Sequence, residues 1–550
     1  MKKTFLLLIL VLCSLALFAQ NEDWHWAIQA GGTDDDYSYG IAIDSNRNSY
    51  VTGYFKSSSI TFGTTTLTNS GYEDIFVAKM DSNGNWLWAK QAGGTDYDEG
   101  MSIAVDANGN SYVTGYFFSN ANFGDTNLIS SGYSDIYIAK LDSNGNWLWV
   151  KQAGGTSEEW GIGVAVDSNG NSYVTGFYQE SATFGTITLT SSGGNDIFVA
   201  KLDSNGNWLW AKQAGGTSYD EGVSIAVDTN GNSYVTGDFS ASATFGTTTL
   251  TSSGEGDIFV AKMDISGNWL WAQQAGGTDY DSGFSVAVDA NGNIYVTGSF
   301  KESATLGTTT LTSSGSEDIF IAKLDSNGNW LWAKQAGGTY YDFGNSIAVD
   351  ANGNSYVTGY FEYSATFGAT TLTSSGESDI FVAKLNSNGN WLWAKQTGGT
   401  SFDFGYGIAV DANGSSYVTG FFMESATFGT TPLTSSGGYD IFVAKLGEVN
   451  SINLPDIIPF NGICSIYPNP FNPLTTIDYE ISMPADVKIE VYNNRGQLVR
   501  SFALGYKKQG SYKLTWEGED NNGCLCSSGI YYIKMRAGKE IYTKKAVLLK

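Results

Sequence analysis

Short runs of apolar and β-branched residues, separated by Asn-Gly turns, recur along most of the chain. One stretch carries such runs at residues 224–228, 233–239, 257–263 and 269–275. Asn-Gly between two apolar runs is typical of a tight β-hairpin. The pattern therefore predicts a unit of four short strands, named a to d, with tight turns after a and c and a long connection after b.

The same unit returns at a nearly constant interval. A Gly-Gly-Thr tripeptide links strand d to the next strand a, and its first interval is 62 residues while the next five are 61. The tripeptide begins at Gly31, Gly93, Gly154, Gly215, Gly276, Gly337 and Gly398. Strands c and d are apolar on both faces, so each unit must pack against its neighbours. Seven stacked four-stranded sheets predict an all-β β-propeller; a β-solenoid is the rival fold, although its coils are shorter and carry no hairpins.

The two ends of the array complement each other. An isolated strand d at residues 24–30 precedes the first strand a, whereas the last unit stops after strand c at residues 440–446. If the first strand completes the last sheet, the open edge disappears. We therefore expect a closed seven-bladed ring whose last blade is completed by the N-terminal strand.

The chain divides into four predicted segments. Two lysines followed by an apolar run indicate a signal peptide at residues 1–19, cleaved after Ala19. The repeats occupy residues 21–447, a linker 448–463 and a C-terminal module 464–550. No later run is apolar enough to span a bilayer. The expected mature protein is therefore exported and has no transmembrane segment.

The net charge indicates which classes of partner the repeat region can bind. The whole chain carries 29 basic and 55 acidic residues, a net charge of −26, whereas the C-terminal module has 12 basic and 8 acidic residues. The repeats therefore hold the negative charge. Such a body repels nucleic acid and anionic lipid, and it favours cations, sugars or basic partners.

The repeat sequence resembles a known family. Residues 161–167 and 171–176, followed by 196–203, are similar to the SBBP repeat, a seven-bladed β-propeller repeat of exported bacterial proteins. The resemblance covers residues 21–447 and implies the same propeller fold. It brings no enzymatic activity with it, so the function has to come from the site.

The C-terminal module has its own pattern of short alternating strands, typical of an immunoglobulin-like sandwich. We expect these strands at residues 475–481, 486–493, 510–516, 530–536 and 540–549. Residues 467–473, 516–518 and 528–532 resemble the C-terminal sorting domain of the type IX (Por) secretion system, which overlaps the hook-cap immunoglobulin-like module. The resemblance implies the secretion machinery as a partner and a secreted or outer-membrane surface location.

None of the cysteines lies in the repeats. Cys13 is in the signal segment, and Cys464, Cys524 and Cys526 are in the C-terminal module. In an exported protein Cys464 could pair with Cys524 or Cys526, and the sequence leaves the pairing open.

An acidic residue follows each Gly-Gly-Thr at the same distance. These seven residues are Asp36, Asp98, Glu159, Asp220, Asp281, Asp342 and Asp403. Because strand parity puts all d–a links on one face, together with the long b–c links, the acids could form a negative collar that attracts a cation or a polyhydroxy ligand. The alternative is that each carboxylate caps the backbone of its own loop.

Aromatic residues next to these acids vary between repeats although the strands hardly do. They are Tyr97, Trp160, Tyr219, Tyr280, Tyr341 and Phe402. Aromatic rings beside hydroxyls and carboxylates suit a sugar or a protein surface, because the ring stacks while the polar groups orient the ligand. Neutral drift at exposed loop tips would give the same pattern.

The turns on the opposite face share the pattern Asp-x-Asn-Gly-Asn, as at residues 81–85, 106–110 and 142–146. Asp and Asn at odd spacing suggest calcium, but the distal acid of a calcium loop is missing. A hairpin turn accounts for the pattern. We expect no metal or other cofactor, with calcium left open.

Paired tryptophans account for 14 of the 16 in the chain and alternate along strand d, as at Trp208 and Trp210. The spacing puts each pair on one face of the strand, where it predicts packing between blades rather than ligand binding.

Residue types give little support to catalysis. The single histidine, His25, lies between two tryptophans, and no catalytic triad or metal-ligand cluster is available. We expect a non-enzymatic binding or adhesion platform for glycan or protein on the long-loop face. A polysaccharide-acting enzyme is the alternative because carboxylates are numerous, and a structural surface-layer component is another.

Overall fold

The computed structural model describes residues 22–448, 462–481, 484–508, 510–538 and 540–550. The predicted signal peptide and nearly all of the predicted linker lie outside these residues. The chain divides into two compact units, the first ending at Glu448. The described ranges hold no helix with the length and apolar character that crossing a membrane would need.

The first unit consists of repeated antiparallel blades with the strand order a-b-c-d. Strands a are Asp36–Ile43, Asp98–Val105, Glu159–Val166, Asp220–Val227, Ser282–Val288, Asp342–Val349 and Asp403–Val410. Strands d are Trp86–Ala92, Trp147–Gly155, Trp208–Ala214, Trp269–Ala275, Trp330–Ala336, Trp391–Gly399 and the N-terminal Glu22–Ala30.

Strands b and c are separate elements in blades 1, 3, 4 and 5. Strands b are Ser49–Phe55, Ser172–Tyr178, Ser233–Phe239 and Ile294–Phe300. Strands c are Asp74–Met80, Asp196–Leu202, Asp257–Met263 and Asp318–Leu324. Strands b, c and d of the fourth blade begin and end where the sequence predicts, because the turns at Asn230-Gly231 and Ser266-Gly267 bound them on one side.

The b–c connection holds a β-hairpin that the sequence analysis missed. Its two strands are Ser59–Phe62 with Thr65–Thr68, Ser181–Phe184 with Ile187–Thr190, Ser242–Phe245 with Thr248–Thr251, and Ser303–Leu306 with Thr309–Thr312. In blades 2, 6 and 7 the hairpin continues strands b and c, as Ser111–Phe123 with Thr126–Leu141, Ser355–Phe367 with Thr370–Leu385, and Ser416–Phe428 with Thr431–Glu448.

The N-terminal strand completes the last blade, as predicted. It runs antiparallel to the final strand, with Ala27 opposite Ala444 and Ala30 opposite Ile441. The first and last blades also share one apolar cluster, in which Val51 and Phe55 pack with Val443. The two ends of the array are therefore in contact.

Strand a is the innermost strand. Residues of strand a from all seven blades, among them Ile41, Ile103 and Ile408, line one cavity of about 540 Å³. Ser102 Oγ accepts the backbone N–H of Val164 in the next blade at 3.3 Å, so neighbouring strands a touch directly around this cavity.

A clamp that recurs along the array, in whole or in part, joins neighbouring blades on the side of the tight turns. Tyr50 donates its hydroxyl to the Gly109 carbonyl at 3.0 Å. Lys79 Nζ lies 4.6 Å from the Tyr50 ring centroid and donates to the Ser143 carbonyl at 3.3 Å. Trp88 Nε1 donates to the same carbonyl at 3.1 Å. The equivalent lysine–tyrosine pairs, all 4.5–5.0 Å apart, are Lys140–Tyr112, Lys201–Tyr173, Lys262–Tyr234, Lys323–Tyr295, Lys384–Tyr356 and Lys445–Tyr417.

The tryptophan pairs pack as the sequence predicts. The first member of a pair meets the hairpin of its own blade, as Trp86 meets Phe62 edge-on at 4.9 Å. The second member meets the strand-b tyrosine and the next blade, as Trp88 does. Both are partly buried against the core clusters.

The second unit is a small sandwich of two antiparallel sheets. Its strands are Gly462–Tyr467, Thr475–Ile481, Ala485–Asn493, Leu498–Lys507, Gly510–Trp516, Gly529–Ala537 and Glu540–Leu548. The first and fourth of these were not predicted. Trp516 is 1% exposed and anchors the core between the sheets.

Two of its cysteines, Cys524 and Cys526, are free thiols, and the Cys464 side chain lies outside the described part.

The clamp predicts a measurable cost for losing one hydroxyl. Tyr50→Phe leaves the Gly109 carbonyl without its buried donor, so we expect the free energy of unfolding to fall by about 1–2 kcal/mol. Urea denaturation of the full chain, followed by tryptophan fluorescence, measures it.

Tyr417→Phe is the matched control, because Tyr417 at the same position makes no bond to a neighbouring carbonyl in the described structure. Equal losses in the two variants would contradict the role of the clamp.

Candidate functional site

The seven acids after Gly-Gly-Thr are all buried, with no exposed surface. Each accepts the backbone N–H of the second glycine of its own tripeptide at 2.6–2.8 Å, as Asp98 Oδ2 does from Gly94. These carboxyls therefore cap their own loops, and the exposed acidic collar does not form. The physical reason is that a loop packed beneath the next hairpin needs an internal acceptor for its backbone N–H groups.

A second buried acid lies beside each of these carboxyls. It opens strand c of the preceding blade and accepts a backbone N–H four residues earlier, as Asp196 accepts from Ser192 at 3.0 Å. The first glycine of the tripeptide separates the two acids: a Cβ at Gly215 would lie 2.7 Å from Asp196 Oδ1 and 3.1 Å from Asp220 Oδ2. Glycine is therefore required there. The second acids are Asp74, Asp135, Asp196, Asp257, Asp318, Asp379 and Asp440.

Burial changes the protonation of these acid pairs. Loss of hydration, together with the charge of the neighbouring strand-c acid, raises the pKa of Asp220 to about 7 and that of Asp98 to about 8. Desolvation likewise raises the pKa of Asp379 to about 6. The loop acids hold protons near neutral pH and serve the fold.

The variable residues of the array gather at the long-loop end of the central cavity, a place here named the channel mouth. The residue after each loop acid pairs across to the sixth residue of strand b, as Tyr37 pairs with Tyr54 and Glu221 with Asp238. These cross-strand pairs differ in every blade. They are Tyr37–Tyr54, Glu99–Tyr116, Trp160–Phe177, Glu221–Asp238, Ser282–Ser299, Phe343–Tyr360 and Phe404–Phe421.

One side of the channel mouth is an aromatic arc, made of Phe343, Tyr360, Phe404, Phe421, Tyr439, Tyr37 and Tyr54. It runs through blades 6, 7 and 1. Ring centroids of Tyr360 and Phe404 are 4.6 Å apart, and those of Tyr37 and Phe421 are also 4.6 Å apart. Tyr439 continues the arc at 5.2 Å from Phe421. The result is one row of contacting rings across three blades, in which Tyr54 and Phe421 are buried and the other rings are partly exposed.

The other side is a polar arc centred on Asp238. Tyr280 and Ser282 donate their hydroxyls to its carboxylate at 2.9 and 2.8 Å. Asn195 Nδ2 donates to Glu221 at 2.9 Å. Burial raises the pKa of both acids, and Asp238 raises that of Glu221 further. Carboxyl, hydroxyl and amide groups thus face the aromatic arc across the mouth.

The structure brings some of the predicted site residues into the mouth and leaves others on its rim. Trp160 stacks on Tyr116 at 4.2 Å, and Tyr280 joins the polar arc. The rim residues are Tyr97, Tyr219, Tyr341 and Phe402, which are 37–64% exposed.

The aromatic arc itself was missed, because its members belong to strands rather than to loops. Six of its seven members differ between the repeats at matched positions of strands a and b, and Tyr439 lies on strand c of the last blade.

On the opposite face each turn satisfies its own polar groups. Asp81 Oδ1 accepts the N–H groups of Asn83 and Asn85 at 2.9 Å, and Asn85 Nδ2 donates to Oδ2. The hydrogen bond from Asn85 lowers the pKa of Asp81. Within the described ranges, no group of three or more His, Cys, Asp or Glu side chains is arranged to hold a metal ion.

Comparison with protein families agrees with this architecture. Seven segments match SBBP, described as a beta-propeller repeat, at residues 25–54, 87–124, 148–176, 209–238, 270–299, 331–360 and 392–420. The chain carries seven SBBP repeats. Residues 473–540 match the FlgD Ig-like domain. The predicted repeat and the immunoglobulin-like module are thus confirmed, while the type IX sorting function stays a prediction.

Curated relatives of this SBBP-repeat chain are longer proteins. It is 27% identical over 540 residues to the WD repeat-containing protein L264 of Acanthamoeba polyphaga mimivirus, covering 77% of this chain and 38% of that protein. It is 26% identical to the regulatory protein FlaEY of Caulobacter vibrioides, covering 65% and 40%. The chain therefore spans well under half of each relative.

Solved structures similar to the SBBP-repeat chain include PorZ, a type IX secretion component of Porphyromonas gingivalis, and the gluconolactonase XC5397 of Xanthomonas campestris. PorZ is 12% identical with a TM-score of 0.23, covering 93% of this chain and 81% of that one. XC5397 is 9% identical with a TM-score of 0.30, covering 77% and 99%. Neither likeness extends to function.

The buried acid pairs predict a stability that falls as the pH rises. A carboxyl whose pKa is about 8 when folded and about 4 when unfolded keeps its proton in the folded state, so folding weakens across that window. We expect thermal unfolding of the full chain at a lower temperature at pH 8.5 than at pH 5.5.

Asp98→Asn should lessen that fall, because the amide has no proton to lose. Asp81→Asn is the control: its exposed carboxyl has a lowered pKa, so this variant should keep the full fall. A melting temperature that rises with pH would contradict the assignment.

Proposed function

We propose that the SBBP repeats form a closed ring that acts as an exported, surface-displayed or released glycan-binding platform, with its ligand at the channel mouth. One observation carries the proposal. Seven nearly identical repeats differ at the cross-strand pairs of the mouth, and there they build an aromatic arc opposite a polar arc. Other positions in the loops and along strand a vary as well, and the variation at the mouth is what builds these two arcs.

Ring closure is supported by contacts between the first and last blades. Arg47 Nε lies 3.6 Å from Asp411 Oδ2. Thr419 Oγ1 donates to Ser38 Oγ at 2.8 Å. Arg47 stands where the other repeats have a turn glycine, so this ion pair belongs to the seam alone. Together with the shared central cavity, these contacts favour a ring over an open stack.

A glycan suits the chemistry of the mouth. Partly exposed rings such as Phe404 and Tyr37 can stack on the apolar faces of sugars, while carboxylates and hydroxyls orient the sugar hydroxyls. The surface is concave and leads into the cavity of about 540 Å³. A protein ligand is the alternative, and the binding experiment below distinguishes the two.

We also propose binding without hydrolysis. Glycoside hydrolysis uses two carboxyls separated by about 5–9.5 Å, which leaves room for the sugar or a water. The mouth instead holds two carboxyls side by side: Glu73 lies next to Glu99 and raises the pKa of Glu99. Release of reducing ends from a polysaccharide panel would favour the enzyme instead.

The C-terminal unit is proposed to deliver the platform to the cell surface or the medium through the type IX pathway. The support is its match to the FlgD Ig-like domain together with the sorting-domain pattern in its sequence.

Binding at the aromatic arc is tested with a glycan array and the full chain. Phe404→Ala removes the centre of the arc, so the dissociation constant of a bound glycan should rise by about five- to tenfold. Titration calorimetry measures the change, with and without EDTA, and we expect the chelator to have no effect.

Leu270→Ala is the control, since Leu270 is 52% exposed on an outer strand d. Binding that survives Phe404→Ala unchanged would remove the arc from the site. Failure of every glycan, together with capture of a protein ligand that Phe404→Ala weakens, would favour the protein alternative.

Delivery is tested by fusing residues 449–550 to a reporter enzyme that carries a cleavable signal peptide. In a bacterium with a type IX pathway we expect the reporter on the cell surface or in the medium, measured by fractionation. The same reporter without this segment should stay in the periplasm. Retention of both would contradict the assignment.

A further inference from the structure

A lysine lies at the channel mouth between the two arcs. Lys56 Nζ is 3.3 Å from Glu73 Oε1 and lies 5.4 and 5.9 Å from the ring centroids of Tyr37 and Tyr54. Its side chain is 34% exposed, whereas that of Glu73 is 6% exposed. One end of the aromatic arc therefore already holds an ammonium group by a carboxylate and two tyrosine rings.

This arrangement occurs in one blade. At the position of Lys56 the other blades carry Phe118, Gln179, Ser240, Lys301, Glu362 and Met423. Lys301 is directed elsewhere, because its ammonium pairs with Asp279 at 3.0 Å. The glutamate in that blade, Glu317, accepts the hydroxyl of Ser299 at 2.9 Å instead.

The carboxyl groups around Lys56 can accept more hydrogen bonds than Lys56 donates. Glu73 Oε2 is buried and has no hydrogen-bond donor among the described residues. Glu99 lies beside it and accepts a hydrogen bond from Tyr116. Burial raises the pKa of Glu99 to about 8; the bond from Tyr116 opposes this rise and the nearby Glu73 adds to it. Two carboxyls thus share a single ammonium.

We propose that Glu73 and Glu99, with the adjoining tyrosine rings, form a subsite for a primary ammonium group of the ligand, so that the glycan bound at the mouth contains an amino sugar. This inference rests on the proposed function. The ammonium donates to Glu73 Oε2 and to the Glu99 carboxylate beside Lys56. The proton that leaves the Glu99 carboxyl goes to solvent, so two carboxylates then face two cations.

An amino sugar fits better than a neutral one for a physical reason. A buried oxygen without a donor is costly, and a sugar hydroxyl that supplies one leaves the charge of the pair unchanged. An ammonium supplies the donor and also compensates the charge that Glu99 gains when its proton leaves, and charge-assisted bonds are the stronger ones. The strongly acidic repeats favour the same charge at longer range.

The test compares glucosamine oligomers with N-acetylglucosamine oligomers of equal length, using the full chain at pH 6.5 in titration calorimetry. We expect the amine form to bind about tenfold more tightly. Its binding should release a proton, seen as a heat that depends on the ionisation enthalpy of the buffer.

Glu99→Gln and Glu73→Gln should each abolish the preference for the amine while changing the affinity of the neutral oligomer less than twofold. Glu317 occupies the position of Glu73 in the fifth blade. Glu317→Gln is therefore the matched control, and this variant should keep the preference for the amine. A preference that survives Glu99→Gln would overturn the subsite.

The remaining outcomes separate this inference from the proposed function. Equal binding of both oligomers would overturn the subsite and leave glycan binding intact. If propylammonium binds in a Glu99-dependent way and neither oligomer binds, the subsite is supported and the proposed glycan binding is contradicted. A lysine hexapeptide that binds more tightly than both oligomers would overturn the amino sugar in favour of a protein ligand.

Discussion

The inter-blade clamp is the interaction on which the rest of the repeat unit depends. A four-stranded blade that is apolar on both faces cannot bury itself. Each one therefore needs a neighbour at a fixed distance, and Tyr50, Lys79 and Trp88 set it by donating to backbone carbonyls of the next blade. Because the clamp repeats, its residues must repeat too. This explains why strands b, c and d are nearly the same in every copy, and it confines variation to positions that the clamp does not use.

The opposite end of each blade is held differently, by buried carboxyls instead of hydroxyls and ammonium groups. Asp220 caps its loop, and Asp196 lies on the other side of Gly215. Each long-loop link therefore carries two acids in an apolar setting. Burial alone makes this unfavourable for two charges, and the raised pKa of Asp220 expresses that cost. The long loops are thereby fixed without using the residues of the channel mouth, which remain available for a ligand.

Sequence patterns predict most of this fold and little of the site. Strands between Asn-Gly turns are found to the residue, whereas strand a begins four residues earlier than expected, because Asp220 and Glu221 resemble loop residues. The hairpin after strand b was missed for a similar reason: its Thr-rich strands are only half apolar. The loop acids suggest an exposed collar because a Gly-rich loop implies solvent, and nothing in the spacing shows the next hairpin covering it. The mouth depends on cross-strand pairs such as Phe404 and Phe421, which stand far apart in sequence.

A ring of equal blades has a problem as a receptor, since seven identical subsites around one axis give a ligand no preferred orientation. The channel mouth of this protein departs from that symmetry, because its side chains differ from blade to blade. Aromatic pairs occupy blades 6, 7 and 1, and the Glu73–Glu99 pair follows at the end of the arc. Trp160 and Phe177 add an aromatic pair in blade 3, and Asp238 lies in blade 4. A ligand with one apolar face and one charged end meets these groups in a single order. Under the proposed function, the specificity of the ring therefore comes from the positions at which the repeats differ.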